Sequence, residues 1–174
     1  MKKIVLALAA AALLPLAGVA AEVRSTPAEA RLWVVADKQE ITELLLEYGR
    51  TLDRKDYEAY GKLFARDGEW AGGGAPAKGP KAIEERMRRT FGPDSGVKWT
   101  TDFHFFTNPI IQVDGDRATA WSRWLFISPG ADGKPVPGYG GHYNDVLVRE
   151  DGVWRFQRRE VVADMAASPA TPPR

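Results

Sequence analysis

The chain has 174 residues, with 24 Lys and Arg against 23 Asp and Glu, two His and no Cys. So near-neutral a balance offers no basic stripe to a nucleic acid or an anionic membrane surface, and neither is expected as a partner. The missing cysteines exclude disulfides, thiolate nucleophiles and Cys-type zinc sites.

Met1-Lys2-Lys3, the apolar run Ile4 to Leu14, Pro15 and the small residues Ala17 to Ala21 have the three parts of a secretory signal peptide. The apolar run is too short to span a bilayer. Cleavage is expected after Ala20 or Ala21, with Ala21 preferred, and no cysteine lies beside it to carry a lipid. The predicted destination is the periplasm or the exterior. Losing Lys2 and Lys3 takes 24 basic residues to 22 against 23 acidic ones, a formal charge of −1. About 150 residues remain, the size of one domain with a core of its own.

Residues 22–34 read as a linker with a short helical segment from Pro27 to Val35, anchored by Trp33. Asp37 with Glu40 three residues on has the capping-box spacing, which predicts a new helix there. Ile41, Leu44, Leu45, Tyr48 and Leu52 give it one apolar stripe ending near Asp53. A short helix capped by Asp56 is expected to pack Tyr57, Tyr60, Leu63 and Phe64 and to break at Asp67-Gly68, with an extended segment from Glu69. Gly72 to Pro76 is loop by composition, without the ending of a phosphate-binding loop or the spacing of a dinucleotide fingerprint. Pro80 opens a third helix, Ile83 and Met87 facing inward, closed by Gly92-Pro93.

From about Trp99 the pattern turns to strands. On the His104 strand Asp102, His104, Phe106, Asn108 and Ile110 share one face by alternation, while Phe103, Phe105, Thr107 and Ile111 form a packing face. A carboxylate, an imidazole and a carboxamide in one row suggest a cavity wall, and histidine suits proton transfer near neutrality. Asp114-Gly115-Asp116 predicts a hairpin into a strand from Ala118 to Ile127. Ser128 to Gly140 reads as loop, His142 to Arg149 as a strand, Asp151-Gly152 as a turn and Trp154 to Ala163 as the last strand. Residues 166–174, rich in proline, are expected to be disordered. Helices followed by antiparallel strands indicate α+β.

The ordered set Tyr48 and Asp53 on the first helix, Leu63-Phe64-Ala65-x-Asp67-Gly68, Gly79, His104-x-x-x-Asn108, Asp114-Gly115-Asp116-x-Ala118, Gly141-x-Tyr143-x-Asp145 and Asp151-Gly152-x-Trp154 resembles the SnoaL-like branch of the nuclear transport factor 2-like superfamily. The resemblance implies a cone-shaped α+β barrel over residues 35–165, in which a strongly curved mixed sheet and three helices enclose a pocket. It also implies relatives among polyketide cyclases, scytalone and bile-acid dehydratases, a dehydrochlorinase and steroid isomerases, beside members without catalytic activity. In the dehydratase types an aspartate and a histidine matching Asp53 and His104 form a dyad, and Tyr48 matches a tyrosine of the bile-acid dehydratase. A homo-oligomer, dimer or trimer, is the family's habit.

The residues fit that chemistry on their own terms. A carboxylate at a helix C-terminus is unfavourable unless a donor or cation compensates, and His104 would serve. Asp53 would orient the ring as base, and Tyr48 would act as acid or polariser. The competing reading makes Asp53 a surface helix terminator and Tyr48 plain core. Phe106, Trp124 and Phe126 are expected to line the pocket, Asn108 to orient substrate or pin the sheet's bend, and Asp102 to sit at the rim. His142 is the weaker histidine candidate. One of Arg158 and Arg159 points inward, depending on register. No spacing predicts a metal site, so a site without metal or cofactor is expected. The expected function is a lyase or isomerase acting by proton abstraction on a hydrophobic small molecule. The alternatives are a periplasmic binding protein of the same fold and a protein that uses the sheet's convex face for interaction.

Overall fold

The computed structural model describes residues 26–95 and 100–165. The expected signal segment, Trp99 and the tail from Ala166 lie outside the described residues. The elements run α1 (Pro27–Asp53), α2 (Tyr57–Gly61), β1 (Phe64–Ala71), β2 (Ala77–Lys78), α3 (Pro80–Phe91), β3 (Phe103–Asp114), β4 (Arg117–Pro129), β5 (Pro135–Glu150) and β6 (Val153–Met165).

Helix α1 is one unbroken element of 27 residues, not two. The start that prevails is Thr26: its hydroxyl accepts from the Glu29 N–H at 3.2 Å, Glu29 answers to the Thr26 N–H at 2.6 Å, and Pro27 fills the first turn. Nothing between Trp33 and Asp37 breaks a helix, so the second capping-box spacing goes unused. Asp37 instead receives the Arg149 guanidinium and, at 3.3 Å, the Trp154 indole N–H. Trp33 is no core anchor: it is 68% exposed on the first half of α1.

Helix α2 is shorter than expected and Phe64 already belongs to β1. Asp67-Gly68 is a strand irregularity: the pairing with β6 shifts between Phe64↔Phe156 and Glu69↔Arg158. A Cβ on Gly68 would stand 2.6 Å from the Phe156 carbonyl oxygen, so only glycine lets the two strands approach there.

The strands form one mixed sheet in the order β2-β1-β6-β5-β4-β3, with β1 and β6 parallel and the rest antiparallel. The sheet curves as an α+β cone but does not close on itself. Register shifts in β3, β4 and β5 bend neighbouring strands around the helices. The core lies between the concave face and the helices, built on Ile41, Leu45, Tyr48, Met87, Leu147 and Phe156.

Three further expectations change. The Pro- and Gly-rich stretch 128–140 is mostly ladder, with Ser128↔Val136 and Ile127↔Pro137 paired. Among the described residues β6 pairs with β5 only from Gly140 onward, so the prolines occupy a stretch with one open side, where a missing N–H is tolerated. In β3 the alternation breaks at Asn108, which takes φ +52 within a bulge between Thr107 and Ile110. Beyond it the inward residue is Ile111, while Ile110 is 59% exposed. Phe103 and Phe105 lie on the open outer face rather than a packing face.

Candidate active site

Asp53 is the last residue of α1, and His104 the second of β3. The Asp53 carboxylate accepts the His104 main-chain N–H at 3.0 and 3.2 Å and lies 2.6 Å from ring Nδ1. These donors offset the negative end of the helix dipole. A carboxylate at that distance accepts a hydrogen bond from Nδ1–H, which leaves the lone pair on Nε2. Both side chains are 13% exposed. The ring sits beside Phe126, with centroids 5.0 Å apart, and Trp124, at 6.2 Å.

These residues line a cavity of about 450 Å³ within the cone. Buried Tyr48, Tyr60, Trp70, Met87, Trp124 and Tyr143 make its floor, and exposed Phe91, Asp102 and Tyr139 mark its mouth. The Tyr48 oxygen accepts the Trp70 indole N–H at 3.0 Å, which leaves its own O–H to donate. Burial pushes the Tyr48 hydroxyl above its ordinary pKa, opposed by the positive charge of Arg159. That guanidinium lies 4.0 Å from the Tyr48 ring centroid and 4.1 Å from that of Tyr143. It is fully buried and pairs with Asp145 through two bonds of 2.8 and 2.7 Å. The Trp124 indole N–H, also buried, has no hydrogen-bond partner among the described residues.

The cavity thus gathers His104, Asp53, Tyr48, Trp124, Phe126 and Asp102. Three expected site residues lie elsewhere. Phe106 is packed under α1, stacked on Tyr143 at 5.5 Å and 14°, in space opened by Gly49. Asn108 is turned away by the bulge into a separate depression beside Thr42 and Leu46. His142 is on the outer face, because Tyr143, Asp145 and Leu147 take the inward parity of β5; it pairs with Asp164 at 2.8 Å and stacks on Trp121. Arg159 is the inward arginine, since the bulge opposite Val146 and Leu147 moves the inward parity from Phe156 to Arg159. Sequence reasoning missed Lys55, Trp70, Phe91, Tyr139 and Val161 as lining residues and left Leu52, Tyr60 and Met87 as packing. The Tyr143-x-Asp145 alternation was the available signal for Tyr143. Among the described residues no group of three or more His, Asp or Glu could hold a metal ion.

The model of the SnoaL-like domain matches residues 33–160, and the chain belongs to that family, within the nuclear transport factor 2-like superfamily. An NTF2-like protein with a cystatin-like fold from Novosphingobium aromaticivorans is 30% identical, with a TM-score of 0.66 over 80% of this chain and 89% of that one. A candidate scytalone dehydratase from the same organism is 25% identical, with a TM-score of 0.61 over 80% and 97%. An uncharacterised protein of Mycobacterium tuberculosis is 29% identical over 131 residues, 72% of this chain and 84% of that one.

Proposed function

We propose that the protein is a lyase or isomerase that removes a proton from carbon in a hydrophobic small molecule. The observation that carries this is the Asp53–His104 pair at 2.6 Å in the wall of an aromatic cavity. His104 Nε2 takes the proton, and Asp53 stabilises the imidazolium that forms. The Tyr48 hydroxyl, its oxygen already bonded to Trp70, donates to the oxygen on which charge collects. In an elimination the C–H pair becomes the new C=C bond, and the hydroxyl leaves as water with a proton supplied by the site. In an isomerisation His104 returns the proton to another carbon.

The cavity's size falls within the roughly 300–1,000 Å³ of small-molecule sites. The likeness to a candidate scytalone dehydratase supports the lyase reading. A binding protein of the same fold is the second reading, supported by the mostly aromatic and aliphatic lining. Hydroxylated and carbonyl compounds should be screened by ligand-induced melting shift, with product analysis of each hit. New alkene or rearranged carbonyl products support the enzyme; tight ligands recovered unchanged support the binding protein. Export to the periplasm is part of the same proposal, tested by the mass of the mature chain.

A further inference from the structure

Helix α1 ends in a Schellman closure: the Lys55 N–H bonds the Leu52 carbonyl at 3.0 Å and the Asp56 N–H bonds the Thr51 carbonyl at 2.9 Å. This closure needs a left-handed residue at its centre, normally glycine or asparagine. Here that residue is Lys55, at φ +55. A lysine in this conformation is uncommon, and the two bonds of the closure hold it there. The Lys55 side chain lines the cavity, where it is the only Lys or Arg among the lining residues.

No carboxylate lies within 4.0 Å of the Lys55 ammonium among the described residues, although this surface is dense with ion pairs. Its Nζ lies 3.9 Å from where a Cβ on Gly92 would stand, at the C-terminal end of α3. The two other charges of the lining differ in kind: Asp53 is bonded to His104, and Asp102 is exposed to screening water. Half-buried Lys55 therefore presents to whatever occupies the mouth a positive charge with no carboxylate in direct contact among the described residues, held beside the C-terminal end of α3.

We propose that Lys55 sets the substrate class of this site: an amphiphilic anion whose apolar body fills the aromatic cavity and whose carboxylate pairs with the Lys55 ammonium. This rests on the reading of the cavity as a small-molecule site. The pair would be a charge-assisted hydrogen bond, partly shielded from water and stronger than a surface contact. A neutral amide of the same shape can accept the hydrogen bond but brings no opposite charge.

The test compares naphthalene-2-carboxylate with naphthalene-2-carboxamide, which share one body, by quenching of the cavity tryptophans and by calorimetry. The wild type is expected to bind the carboxylate about tenfold more tightly, a difference of about 1.4 kcal/mol. Lys55→Gln should erase the preference by weakening the carboxylate alone. Lys55→Gly should erase it too while melting at or above the wild-type temperature, because glycine suits the left-handed position. Equal binding of both probes by the wild type, or a preference that survives in Lys55→Gln and Lys55→Gly, overturns the role of Lys55 and leaves the cavity reading standing. Binding of neither probe overturns both.

Discussion

Asp53 holds His104 twice, by its main-chain N–H at 3.0 Å and by ring Nδ1 at 2.6 Å. The carboxylate therefore fixes both the start of β3 and the tautomer of the ring it carries. Asp53→Asn keeps the shape but loses the charge and can present its amide N–H₂ to the ring. Turnover should fall by roughly three to four orders of magnitude. Stability should fall by about 2 kcal/mol, the scale of hydrogen bonds to a charged group. Steady-state kinetics and urea unfolding measure the two effects separately.

Gly49 and Phe106 form a matched pair. A Cβ on Gly49 would overlap the Phe106 ring edge, with Cδ2 at 3.0 Å. Gly49→Ala should destabilise the protein by about 1–3 kcal/mol, despite alanine's better helix propensity. Phe106→Ala in the same background should remove that penalty, so the double-mutant cycle should show coupling.

Arg159 and Asp145 are both buried and meet in a bidentate contact through Nε and Nη2, while Arg159 Nη1 has no hydrogen-bond partner among the described residues. Asp145→Ala leaves a guanidinium in the core without its counter-charge and should cost about 3–5 kcal/mol. Adding Arg159→Met should recover part of that loss. The denaturation midpoint, at unchanged slope, is the measurement.

Burial pushes the Tyr48, Tyr60 and Tyr143 hydroxyls above their ordinary value of 10.0. Below that pH both folded and unfolded chains keep these protons and the tyrosines add no pH dependence. Above it the unfolded chain releases them first and binds fewer protons than the folded one, so stability falls as pH rises. Melting temperatures from pH 8 to 12 should drop steeply past about 10. Tyr60→Phe should soften that drop.

Asp53 and His104 were legible through the family resemblance, since the residues alone left a surface helix terminator and a dyad equally open. The hairpins at Gly115 and Gly152 were legible because Asp-Gly pairs supply the left-handed backbone that tight turns need. Irregularities were not legible. The bulge at Asn108 reverses the parity of β3, and nothing in Thr107-Asn108-Pro109 says which residue is extra. The same limit hid the choice between Arg158 and Arg159. The continuous α1 was obscured by two capping-box spacings on one helix, of which packing against Arg149 and Trp154 claimed the second. Lys55 escaped notice because a lysine after Asp53-Arg54 reads as solvated charge until its φ is known.

The central claim is that His104, tethered by Asp53, takes a proton from carbon in a bound molecule. The most direct measurement follows deuterium entry from D₂O at the carbon next to the carbonyl of a cavity-bound ketone, by NMR, for the wild type and His104→Ala. The expected result is rapid incorporation by the wild type and only the solvent background rate with His104→Ala, at similar ligand affinity. Equal rates in the two proteins, or a ligand that stays bound to the wild type without exchange, would contradict the account.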